Sequence, residues 1–151
     1  MAYETVADVF DRVRNFHAQV GKYYNQLYLI ADKEKVKLLL DYMSRHEKKL
    51  ELCMSEYEDN ASKDILNTWF KHTPASTYQE CFKDSDLNHS MSIDDVISVA
   101  LRLDDCIINA FKRIVDSSES NRIKEIFTCL LKSAEREKKK FVNEALELKE
   151  M

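Results

Sequence analysis

Apolar side chains recur every three or four residues over four long stretches of the chain, a spacing that predicts four amphipathic helices. The first runs from about Thr5 to Ala31, with Val6, Val9, Val13, Phe16, Val20 and Tyr24 on one stripe. Thr5 and Asp8 stand where a capping box would start it. The second runs from about Lys33 to Tyr57, with Asp32 as the expected N-cap and Val36, Leu39, Leu40, Met43, Leu50 and Met54 inward. Ser92 and Asp95 repeat the capping signal for a third helix, which ends near Asp116. The fourth occupies about 119–149, with Ser117-Ser118-Glu119-Ser120 as turn and cap together.

The connections set the topology. Helices one and two, and helices three and four, are joined by very short turns, so each pair folds back as an antiparallel hairpin. From about 58 to 92 the pattern breaks. A short apolar piece (Ile65, Leu66, Trp69, Phe70) precedes Pro74, and Tyr78 with Phe82 suggests a further helical turn. This stretch is too long for a hairpin turn and suits a crossover from one end of the molecule to the other. The expected architecture is one all-α domain over 1–151, two antiparallel helical hairpins joined by a long crossover, with no β-sheet.

Composition narrows the picture without changing it. One Gly and one Pro in 151 residues are too few for a β-sandwich or barrel. A net charge of −4 with both signs interspersed is not the footprint of a nucleic-acid binder. Lys138, Lys139 and Lys140 sit among Glu135, Glu137 and Glu144 and read as a solvated helix face. No apolar run reaches the roughly 20 residues that cross a bilayer, and the first residues lack the pattern of a signal peptide. Cys53, Cys81, Cys106 and Cys129 lie about 25 residues apart, without the short spacing of a zinc or redox motif, and read as free thiols. Together these features predict a cytoplasmic protein.

Four polar residues interrupt the stripes where core residues are due: His17, His46, Asp104 and Glu137. His17 and His46 each lie roughly 20 Å from the first hairpin turn at 1.5 Å per residue, and Asp104 is at a similar height in the second hairpin. Buried charges must pair, reach water or bind a cation. Imidazole with carboxylate is the ligand set of non-haem iron, manganese and zinc. Hydrogen-bonded His–carboxylate pairs would satisfy the same layer without metal. Glu47 and Glu135, at the stripe edges, are second-choice ligands; Asp105 reads as solvated. His72 and His89 fall in the crossover and read as loop residues, and Tyr24 and Tyr42 as core. Gly21, one turn after His17, marks either a close helix approach or space beside the site.

The segments LLLDYMSRHEKKL (Leu38 to Leu50) and SAEREKKKF (Ser133 to Phe141) are similar to the second and fourth helices of rubrerythrin-type bundles. With the connectivity, the chain resembles the ferritin-like superfamily. The resemblance implies a four-helix bundle with a di-iron centre, built from one Glu on each of helices one and three and Glu-x-x-His on helices two and four. The centre is degenerate here. His46 matches the motif His, but Met43 stands in place of its Glu; Ala134 and Glu137 replace the pair on helix four. Asp104 and His17 replace the two single Glu residues. A one-residue shift restores Glu135 but puts Lys138 at the His position. Ferroxidase or peroxidase activity does not carry over.

Two functions are compatible with this sequence. One is a metal-binding protein (iron, manganese or zinc) in iron handling or oxidative-stress chemistry. The other is a non-catalytic bundle, with no metal, that works as a homo-oligomer or partner-binding module. No nucleophile elbow or phosphate loop supports another enzyme class. A dimer is expected, because Trp69, Phe70, Tyr78 and Phe82 are hard to bury within one crossover.

Overall fold

The computed structural model describes residues 2–72, 81–82 and 87–151. Among them are four long helices: α1 (Val6–Ile30), α2 (Glu34–Asn60), α4 (Ile93–Ser117) and α5 (Asn121–Glu150). A single short turn of helix, α3 (Lys63–Leu66), follows α2, and two four-residue strands, β1 (Ala2–Thr5) and β2 (Trp69–His72), pair antiparallel. Their small sheet corrects the expectation of a strand-free chain. The expected turn of helix at Tyr78 lies outside the described residues; Cys81 and Phe82 form a short 3₁₀ segment.

The helix starts follow the sequence signals closely. At α1 the Thr5 hydroxyl accepts from the Asp8 N–H while the Asp8 carboxylate accepts from the Thr5 N–H, each at 3.1 Å. Ser92 and Asp95 form the same reciprocal pair at α4. Each satisfies backbone donors that a helix start leaves open. At α2 the expectation fails. Lys33 is the N-cap residue, with no side-chain cap, and Asp32 instead bonds His89 Nδ1 at 2.8 Å.

The two hairpins are antiparallel, as shown by Phe10 against Tyr57 and Gly21 against Ser44 in the first. In the second, Lys138 meets Asp105 and Lys149 meets Asp94. The Asp32 N–H donates to the His89 carbonyl, which places the start of α4 beside the first hairpin turn. Arg122 at the start of α5 bonds Asp64 of α3 at the opposite end. Helices α2 and α4 therefore run parallel, and the connection between them travels the length of the molecule.

One core joins all four long helices, with Phe10, Leu40, Leu103 and Phe127 almost without exposure. Phe70 of β2 is buried against Phe127, and Phe82 packs on Phe16 and Tyr23. Of the four crossover aromatics Phe70 is buried, Phe82 is partly buried and Trp69 is 65% exposed, while Tyr78 lies outside the described residues. The other correction concerns the thiols. Cys81 and Cys106 form a disulfide that ties the crossover to α4, whereas Cys53 and Cys129 are free and exposed.

Candidate functional site

His46 and Glu47 are neighbours on α2, so their side chains diverge by about 100° around the helix. Glu47 turns toward α1 and His46 toward α5. Glu47 Oε2 lies 2.7 Å from His17 Nδ1, and His46 Nε2 lies 3.2 Å from Glu137 Oε2. With Asp104 of α4 these residues line one cavity of about 200 Å³. Every long helix thus contributes at least one ionisable side chain to the same interior space.

Glu47, the second-choice residue from sequence, is the most buried charged residue among the described ones, at 6% exposure. Its position was legible. It follows Met43 by four residues, precedes Leu50 by three and Met54 by seven, so it belongs to the stripe and not to its edge. Glu135 is the reverse case: it is exposed and lines a separate outer groove with Lys138 and Lys139. It does not reach the layer. Asp105, also outside, pairs with Lys138 at 2.6 Å. His89 is exposed on the surface.

The two imidazole–carboxylate pairs differ. The His17–Glu47 contact is a short hydrogen bond between the carboxylate and Nδ1, so Nε2 is the ring nitrogen that remains to meet another group. His46 stacks on Tyr42 with ring planes 7° apart. Burial pushes its pKa down, opposed by Glu137 and Glu47, so its neutral form is favoured. Its contact with Glu137 is within ion-pair range but not aligned as a hydrogen bond, and Glu137 Oε2 is a buried acceptor without a donor.

Asp104 is the most perturbed carboxyl. Burial, reinforced by Glu47, raises its pKa to about 7, against the relief given by Lys138. Near neutrality it exchanges a proton readily. Tyr24, fully buried beside it, is pushed well above the usual phenol range by burial, then by Glu47 and Asp104. It is a neutral hydroxyl at any ordinary pH.

The residues do not yet make a metal centre as placed. Among the described residues no three His, Cys, Asp or Glu side chains share a position that would hold an ion. Each imidazole is turned toward a carboxylate instead. The donor chemistry suits a divalent transition metal, while coordination takes side-chain rotation that opens the two pairs.

No known protein family, curated protein or solved structure matches this chain.

Proposed function

We propose that this chain is a ferritin-like four-helix bundle whose altered centre captures a divalent transition-metal ion. The observation that carries the reading is the convergence of three carboxylates, Glu47, Asp104 and Glu137, and two imidazoles on one cavity. The carboxylates raise one another's cost of ionisation, as Asp104 records, and a cation removes that cost. The parallel run of α2 and α4, with a crossover along the molecule, supports the ferritin-like topology.

His17 Nε2, His46, Glu47, Asp104 and Glu137 would hold the ion. A bound metal supplies Lewis acidity or redox chemistry according to its identity. The protein's part is to release the Asp104 proton, rotate Glu137 and free the imidazoles. Because Asp104 must deprotonate, affinity rises with pH toward 7 and levels above it.

Metal analysis of untagged protein purified without chelators tests the reading, followed by titration with Mn²⁺, Fe²⁺ and Zn²⁺. Near-stoichiometric binding lost in His46→Ala supports it. Binding that survives in a His17→Ala/His46→Ala double variant refutes it.

A second reading, a metal-free bundle acting through its surface, is favoured by one observation. The His17–Glu47 pair already satisfies half the layer internally. A fully stable protein that takes up none of the three metals would decide for it. The cytoplasmic expectation loses its thiol argument, since a disulfide is more usual in oxidising compartments.

A further inference from the structure

The cavity is larger than the polar layer needs. From His46 it extends along α2 through Leu50, Cys53 and Met54 to Tyr57, with Ile107 and Phe111 opposite. His46 to Cys53 is seven residues, about 10 Å along a helix axis. Cys53 and Tyr57 line this space and are also exposed, so it opens at the side of α2. The space is a largely apolar slot, open at the surface beside Cys53 and Tyr57, with the acids and imidazoles in its wall.

Protein interiors rarely leave such room unfilled. An apolar cavity of about 150 Å³ accepts a benzene-sized ligand, so about 200 Å³ suits a chain of six or seven carbons. A lining that runs about 10 Å along α2 from His46 to Cys53 suits a linear chain. The head group is chosen by charge. Three carboxylates face two imidazoles in its lining. An anionic head would add to the crowding, whereas an ammonium group would pair with Glu137 Oε2, the acceptor that lacks a donor.

We infer that this slot binds a small linear aliphatic amine, its chain along Leu50, Met54 and Ile107 and its ammonium group at Glu137 and Asp104. The inference deepens the cation-capture reading, since it relies on the same surplus of acidic groups. It adds an organic ligand class that a bare metal site does not require.

Calorimetry on chelator-treated protein with n-hexylamine, n-hexanol and n-hexanoate provides the test. One hexylamine is expected per chain, bound at least tenfold more tightly than hexanoate. Cys53→Trp narrows the mouth and Ala134→Leu fills the slot; each should weaken hexylamine at least tenfold. Because Cys53 is exposed, its replacement should not prevent folding, and circular dichroism checks both variants. Wild-type protein gives an independent measurement. Hexylamine should slow alkylation of Cys53 by N-ethylmaleimide at least fivefold while Cys129 reacts at an unchanged rate. Preference for hexanoate, or equal protection of both thiols, would overturn the proposal. So would undiminished binding in both folded variants. Failure here with intact Mn²⁺ or Zn²⁺ binding removes the slot and leaves the metal reading standing; the converse removes the metal reading alone.

Discussion

Glu47 and His17 form a hydrogen-bonded pair at 2.7 Å, with 8% and 13% of their side chains exposed. Each is the other's escape from desolvation. Breaking a buried pair by removing one partner typically costs about 3 kcal/mol or more, because the survivor is left uncompensated. His17→Ala should therefore destabilise the metal-free protein by about 3 kcal/mol in urea unfolding. Glu47→Gln, which keeps an acceptor and removes the charge, should cost clearly less. Equal losses in the two variants would contradict this account of the pair.

Glu47→Gln has a second consequence. Glu47 is the largest charge contribution holding Asp104 above its ordinary value. Its neutralisation should bring the Asp104 pKa down from about 7, measurable by NMR titration of the side-chain carboxyl. An unchanged value would place the cause in burial alone.

Asp104 also ties stability to pH. Its carboxyl has an ordinary value of 3.8 and a folded value of about 7. Between these the unfolded chain has released the proton and the folded one retains it, so rising pH favours unfolding. This contribution to stability is full below about pH 4, falls on the way to about pH 7 and is flat above. Asp104→Asn should remove the slope, making the variant the more stable by a few kcal/mol at pH 8, at about 1.4 kcal/mol per pKa unit. Denaturant melts at pH 5 and pH 8 compare the two proteins directly.

Gly21 of α1 faces Ser44 and Glu47 of α2. An added Cβ would meet the Glu47 Cβ at 3.5 Å and the Ser44 carbonyl oxygen at 3.8 Å, ordinary contact distances. Gly21→Ala should therefore fit and raise stability by about 0.5–1 kcal/mol through helix propensity. A loss of stability would show that the added methyl is not accommodated against Glu47 and Ser44.

Self-association is proposed from one patch. In the small sheet Phe70 faces inward, while Tyr3 and Trp69 share the outer face, 67% and 65% exposed. Each strand has one unpaired edge within this two-stranded sheet. Sedimentation at high micromolar concentration should give a dimer that Trp69→Lys returns to 17.8 kDa. A wild-type monomer would dismiss the patch.

The four long helices were legible because their stripes and three of their caps, at Thr5, Ser92 and Ser120, are local signals. Val6 through Leu27 needed only period and Thr5. The polar layer was half legible. His17, His46, Asp104 and Glu137 each break a stripe, and all four line the cavity. Their pairing was not, since Glu47 meets His17 across thirty residues of sequence, and partner choice depends on how two helices are rotated. Glu135 misled because one residue turns a side chain by about 100°. The sheet was hidden for a similar reason: β1 finds its partner only after the chain has passed through a complete hairpin. The cysteine spacing carried no clue that residues 81 and 106 are neighbours.

The Cys81–Cys106 bond changes what a cut in the backbone would mean. Cleavage anywhere between residues 82 and 105 separates the chain into one piece carrying Cys81 and another carrying Cys106, yet the pieces stay covalently joined. Each piece keeps one long hairpin or most of one, and both remain held at the height of Asp104, two residues from the bond. A nicked molecule would migrate as a single species until reductant is added. In that sense only the chain after Cys81 is dispensable as a tether: the stretch from Cys81 to Cys106 is fastened twice, once by peptide and once by sulfur, while the first hairpin reaches Cys81 by peptide alone.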